Sequence, residues 1–336
     1  MVPSITTILH RFTGEWAMLL QPDAILALCS EIGDPAWRDR VLTPVTTVHL
    51  FLLQILHGHT ACSHLPHLSG LRFSAAAYGQ ARAKLPLRFF DLLLERFGSA
   101  VQRSALDEGR WHGHRTFLVD GSGCSMPDTP ALQAAFGQPR EQQPGCGFPV
   151  GRLLGLFHAG AGVLLKLVVA PLLTHDLAQV QAVHPSLHEG DVLVADRGLC
   201  SYAHLALLVQ AGVHQVETSL AHLKTTMQMD VLHGKTVSGV LKELTVVAIV
   251  DNLVRMVMGH SAILQHIGVE RISSLDALRW LSAPSTGIPL GASIVNRIRP
   301  HRVEPRVKKR RPKSFPLMLK PRQELRQQLV QQELTG

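Results

Sequence analysis

Two short apolar runs constrain this chain most. Phe117-Leu-Val-Asp-Gly-Ser122 and Val192-Leu-Val-Ala-Asp-Arg197 each reach an aspartate and then break into a turn. An apolar run of that length bounded by Gly or Ser reads as a buried strand. A carboxylate at the exit of such a strand sits at the rim of a sheet, dry on one side and open on the other. Two of them on neighbouring strands would make a hard-oxygen site for divalent magnesium or manganese. A third acid, Glu217, lies in Gln215-Val-Glu-Thr-Ser-Leu-Ala-His-Leu-Lys224. On a helix, Glu217 and Lys224 would share one face, about 10 Å apart along the axis. That layout suits metal-dependent phosphoryl transfer on DNA.

The rest of the pattern supplies a frame for these acids. Residues 1–105 read as all-helical, with apolar positions at helical spacing through Ala24–Cys29, Val45–Leu56 and Phe89–Phe97. Ser74 is placed to cap a helix Ala75–Lys84 that Pro86 ends. Tyr78, Arg82 and Lys84 on it could present polar groups to DNA in a helix-turn-helix-like module, or the helices could be simple support. Residues 106–114 read as a linker. From Thr116 the period changes to strands: Thr116–Asp120, then Val150–Ala159 and Val163–Ala170 joined by the turn Gly160-Ala-Gly162. A helix Asp176–His188 and a strand Asp191–Ala195 follow. The order β-β-β-α-β, with acids ending the first and fourth strands, predicts an α/β fold. It is a ribonuclease-H-like mixed sheet flanked by helices, spanning 115–295. Further helices are expected at Tyr202–Gln210, Val216–Met227 and Lys235–Met258. Asp128 reads as a turn residue, Asp176 as a helix N-terminal residue, and Asp230 and Asp251 as solvated. From 296 to 336 the chain is proline-spaced and basic, and is expected to be extended.

Composition narrows the setting. Of 336 residues, 46% are hydrophobic, enough for a substantial core. No stretch reaches the roughly eighteen apolar residues of a membrane span, and Val45–Leu56, broken by His49 and Gln54, reads as a buried helix. Met1–Trp16 lacks the basic leader of a secretory signal. The five cysteines form no CxxC pair, which predicts reduced thiols in a cytoplasmic protein without disulfides or structural zinc. His57-Gly-His59 and His112-Gly-His114 lack neighbouring ligands for a tetrahedral zinc and read as surface or satisfied histidines. The charge is localised. Between Arg297 and Arg326 twelve Lys or Arg stand against two Glu, whereas the net charge of the whole chain is only +8. Such a stripe is the footprint of a polyanion, most often nucleic acid; the plain alternative is a solvated tail. Candidate phosphate contacts are Arg297, Arg299, Arg302, Arg306, Lys308, Lys309, Arg310, Arg311 and Lys313.

Three motifs in order carry a resemblance: Asp120-Gly-Ser-Gly-Cys-Ser-Met-Pro-Asp-Thr-Pro130, Ala195-Asp-Arg-Gly-Leu-Cys-Ser-Tyr202 and Val216-Glu-Thr-Ser-Leu-Ala-His-Leu-Lys-Thr-Thr-Met227. Together with the basic Val303-Glu-Pro-Arg-Val-Lys-Lys-Arg-Arg-Pro-Lys313, they resemble the DDE transposases of the insertion-sequence-four family. The resemblance implies that Asp120, Asp196 and Glu217 are catalytic acids holding two Mg2+ or Mn2+ ions, and that Lys224 holds a backbone phosphate. It implies metal-dependent cleavage of double-stranded DNA at element ends and joining to target DNA, with homodimerisation on DNA left open.

The chain also departs from that pattern. The family signature places an Arg where this sequence has Val213 and a Tyr where it has Gln210. A long strand-rich insertion between the second acid and the Glu is absent, which suggests an internal deletion. A fifth strand would have only Ala211–Val216 to form from, a poor strand with Gly212 and His214. The expected consequence is a Glu217 held away from the two aspartates. Three readings stay open: an active transposase, a DNA-binding remnant without catalysis, and a ribonuclease-H-like nuclease that cleaves without joining.

Overall fold

A computed structural model describes residues 15–33, 40–103, 110–140, 143, 145–199, 201–217, 232–282, 320–321, 324–328 and 331. Its N-terminal part is built from helices, in chain order α1 Glu15–Met18, α2 Pro22–Glu31, α3 Pro44–Leu56, α4 Leu65–Ser69, α5 Ala75–Lys84 and α6 Leu87–Arg103. Local chemistry fixes their starts. Thr43 accepts a hydrogen bond from the Thr46 amide at 3.2 Å, and Pro44 occupies the first turn, where its missing N–H is no loss. Ser74 caps α5 by accepting from Ala77 N at 3.1 Å, as its sequence predicts. Every residue of α3 is buried. Two of its polar side chains are anchored, His49 Nε2 on Leu20 O at 2.9 Å and Gln54 Nε2 on Thr60 O at 2.9 Å, whereas Thr47 Oγ1 and His49 Nδ1 have no hydrogen-bond partner among the described residues.

Five strands follow: β1 Thr116–Ser125, β2 Val150–His158, β3 Leu164–Pro171, β4 Val192–Ala195 and β5 His214–Glu217, in the spatial order β3-β2-β1-β4-β5. β1–β2 and β2–β3 are antiparallel; β1–β4 and β4–β5 are parallel. This is a five-stranded mixed sheet flanked by helices, the α/β class that the sequence order implies. The hairpin turn lies at 159–163, where Gly162 takes a φ of 65° and donates to His158 O.

The crossover from β3 to β4 carries α8 Asp176–Val180 and a 3₁₀ turn Gln181–Ser186, tightened by Pro185. It is therefore not the single helix to His188 that the sequence suggested. Between β1 and β2 lies α7 Pro130–Phe136, between β4 and β5 lies α9 Tyr202–Gln210, and after β5 come α10 Val237–Gln265 and α11 Ser274–Ser282. The helix α10 runs past the expected end at Met258 until His266 turns left-handed at φ 53°.

One apolar core joins the helical N-terminal part to the sheet and to α10. It is continuous from Leu20, Phe51 and Phe90 through Phe117 and Leu156 to Ile249 and Leu281. A smaller cluster of Met126, Leu132, Phe136, Leu153 and Leu244 seals the far side under α7.

Candidate active site

Asp120 sits in the middle of β1, not at its exit. The expected strand Thr116–Asp120 continues to Ser125 because Gly121–Ser125 still pair with β2, Gly121 opposite Leu154 and Ser125 opposite Val150. The parallel partner β4 stops earlier: its last registered pair with β1 is Val119↔Ala195. Asp120 and Asp196 are the next residues along two adjacent parallel strands. Their backbones are therefore about one strand spacing, ~4.8 Å, apart. The point where β4 ends and β1 continues is a notch in the sheet, and both aspartates stand at it. Asp120 is buried and takes the Gly121 amide on its own Oδ1 at 2.8 Å. Asp196 opens a 3₁₀ turn Arg197–Leu199 by accepting Leu199 N at 3.1 Å, and its Oδ1 lies 3.2 Å from where a Cβ on Gly198 would stand.

Glu217 is not on a helix. It closes β5, and its backbone is in register with Ala195 on β4. The four residues His214–Glu217 form a strand despite their weak propensity because the free edge of β4 supplies a ladder. The short connection from Asp196 therefore does not carry the Glu217 backbone away; it returns it to the same edge of the sheet, one strand from Asp196. The rest of the expected helix Val216–Met227, including Lys224, lies outside the described residues, as do Arg297, Arg299, Arg302, Arg306, Lys308, Lys309, Arg310, Arg311 and Lys313.

A further acid borders the notch. Asp176, the first residue of α8, is the helix N-terminal residue the sequence suggested. Its Oδ2 lies 3.1 Å from the position a Cβ on Gly121 would take, and its buried Oδ1 has no hydrogen-bond partner among the described residues. Gly121 is thus the residue that lets a carboxylate approach β1 next to Asp120.

Other readings need correction. Tyr78 and Arg82 do not face outward: Tyr78 is fully buried and donates to Gln54 Oε1 at 3.0 Å, and Arg82 donates to the same oxygen at 2.9 Å. The Arg82 guanidinium also lies 3.8 Å over the Phe51 ring, so α5 is held by the core rather than offered to DNA on that face. Asp251 is only partly solvated, its side chain 22% exposed. Burial raises its pKa, with Arg255 at 3.7 Å pulling the other way.

His59 also has partners that sequence spacing could not show. Its Nδ1 is 3.0 Å from Glu243 Oε1, and His233 Nδ1 is 3.5 Å from the same oxygen. Among the described residues these are the only three metal-ligating side chains whose ligand atoms converge within 4.8 Å.

No protein-family model matches the chain. Over 106 residues, 31% of this chain and 36% of the relative, it is 26% identical to the protein named "Putative transposase InsZ" of Escherichia coli (strain K12). The match thus spans about a third of that relative's length. Among solved structures, the chain overlays on a pre-cleavage Mos1 transpososome with 10% identity and a TM-score of 0.25, covering 65% of this chain and 79% of that one. For the Mos1 strand transfer complex the values are 11% and 0.21, covering 57% and 64%. For a Mos1 paired-end complex with the left transposon end they are 12% and 0.22, covering 65% and 77%. TM-scores this low do not establish a shared fold.

Proposed function

We propose that this chain is a DNA transposase of the DDE type, with Asp120, Asp196 and Glu217 as its acids. One observation supports the reading above the others: the register Val119↔Ala195↔Glu217 across β1, β4 and β5, which brings the backbones of all three acids to one edge of the sheet. The resemblance of the three acidic motifs and the sequence similarity to a protein named as a transposase agree with it.

The donor set fits Mg2+ or Mn2+. Asp120 and Asp196 offer only oxygens, the preferred ligands of both ions, and Asp120 is buried. When bound, the ions supply an activated water or 3′-hydroxyl and stabilise the leaving oxygen of the phosphodiester. The chain's own residues do the rest. The pairing of β1 with both β2 and β4 fixes the Asp120 backbone, the 3₁₀ turn after β4 holds Asp196, and Lys224 and the basic segment 297–326 hold phosphates.

The test is cleavage of oligonucleotide duplexes drawn from the DNA that flanks the gene on each side, with Mn2+ or Mg2+. The wild-type chain is expected to nick at a defined position, and Asp120→Ala or Asp196→Ala to lower the rate at least about 1,000-fold while circular dichroism stays unchanged. Nicking that survives both substitutions would sink the assignment. Salt-sensitive binding of those duplexes without any nicking would instead favour a DNA-binding protein that has lost catalysis.

A further inference from the structure

A second cluster of ligand-type side chains lies at the junction of the N-terminal helices and α10, built by three separate segments. After α3 the chain turns through two consecutive left-handed residues, Gly58 at φ 65° and His59 at φ 56°. That conformation is uncommon for a non-glycine residue, and here it aims the His59 ring at α10. The turn is pinned on both sides of His59: Gln54 Nε2 donates to Thr60 O, and Thr60 N donates to Gln54 O at 3.3 Å.

On α10, Glu243 is almost fully buried, yet its carboxylate is already oriented. Its Oε2 accepts from Gly234 N at 2.7 Å and from His233 N at 3.1 Å. The 233–234 segment can wrap this closely because residue 234 is glycine; a Cβ there would stand 2.7 Å from Val240 N. Oε1 also accepts from His233 N, at 3.0 Å, and lies between two imidazoles, 3.0 Å from His59 Nδ1 and 3.5 Å from His233 Nδ1. The two rings stack with centroids 5.2 Å apart.

We propose that His59, His233 and Glu243 form a site for a zinc-class transition-metal ion. Zinc bonds of about 2.0–2.2 Å in a tetrahedron set ligand atoms roughly 3.3 Å from one another. The two imidazole-to-carboxylate separations bracket that value, and all three ligand atoms lie within 4.8 Å of one another. Two imidazoles and one carboxylate suit zinc and its neighbours better than Mg2+, which prefers oxygen donors. The site is therefore chemically distinct from the Asp120–Asp196 notch, which lies on the sheet. His59 is 17% exposed and Glu243 3%, but His233 is 61% exposed, so the fourth position opens to solvent on the His233 side.

The carboxylate held by the backbone amides of 233 and 234 is the kind of outer contact that fixes a ligand's direction. A bound ion would clasp α3's exit, the segment leading into α10 and α10 itself. It would also fix the point at which the chain re-enters the core after β5.

The test uses the full chain stripped with a chelator and then titrated with Zn2+, or with Co2+ as a coloured probe. Wild type is expected to take up one tightly held equivalent, develop tetrahedral-type Co2+ absorption, and gain Tm on adding Zn2+. His233→Ala removes an exposed ring, so it should fold normally and still weaken Zn2+ binding at least about 100-fold, beyond the usual effect of losing an outer contact. His59→Ala should do the same, whereas Asp120→Ala should leave the equivalent intact. A wild-type chain with no Zn2+ uptake and no Tm shift, or His233→Ala binding as tightly as wild type, overturns the proposal.

Discussion

Asn252 stands in for a strand. Leu164 begins β3, which lies at the edge of the sheet, and its outward N–H and C=O would otherwise be buried against α10 without partners. Asn252 Oδ1 accepts from Leu164 N at 2.8 Å, and Nδ2 donates to Leu164 O at 2.9 Å, both fully buried. Asn252→Leu keeps the volume but orphans two backbone groups, so it should lower unfolding free energy by about 2–5 kcal/mol in a urea titration. Such a residue is invisible in the sequence, where Asn252 reads as a polar break in an apolar helix.

The pair His184–His204 is equally silent in sequence, and it titrates. Their ring nitrogens meet at 3.0 Å, so one must donate and the other accept. Burial, and then the neighbouring His184, push the His204 pKa down to about 4; burial lowers His184 as well. Because His204 binds its proton more weakly folded than unfolded, stability is fully present above about pH 6.5 and falls as the pH drops toward about 4. The expected loss is on the order of 3 kcal/mol. Urea midpoints across that range should shift less in His204→Gln; an unaltered pH dependence would assign the effect elsewhere.

At the level of elements, the pattern β-β-β-α-β could be read because each strand was an apolar run bounded by turn residues, and the cap Ser74 announced its helix. Two boundaries could not be read, for the same physical reason. Gly121–Ser125 and His214–Glu217 have little strand character of their own and are extended because a neighbouring strand supplies hydrogen bonds. The first extension moved Asp120 from a strand end to mid-strand; the second turned the expected helical start at Glu217 into the end of β5. Gly155, directly opposite Asp120 on β2, shows how tightly this part of the sheet is built. A Cβ there would stand 2.7 Å from Phe157 Cε2 and 3.0 Å from Leu164 Cδ1. Gly155→Ala should therefore destabilise by about 1–3 kcal/mol although it removes no polar group. Thermal unfolding would measure this directly, and an unchanged Tm would mean the Phe157 ring moves aside freely.

Across the whole molecule, the N-terminal helices are built into the sheet's own core. Buried Lys242 on α10 reinforces the junction by donating to Ala83 O at 3.1 Å and Arg82 O at 3.3 Å, carbonyls at the C-terminal end of α5. On α5, Tyr78 and Arg82 are engaged by Gln54 and Phe51 within the fold. On the proposed function, DNA affinity would draw chiefly on charge that the sequence concentrates elsewhere: twelve Lys or Arg against two Glu between Arg297 and Arg326. Each phosphate neutralised on duplex DNA contributes about 0.9 to the slope of log affinity against log salt. If half of those cations meet phosphates, deleting 297–326 should flatten that slope by about 5, while a deletion of equal length in a neutral segment should not. The measurement is binding of one duplex by fluorescence anisotropy at a series of salt concentrations, with wild type and the deletion side by side. An unchanged slope would take the basic segment out of the interface and leave the rest of the chain, with its slight negative charge, to account for any DNA binding that remained.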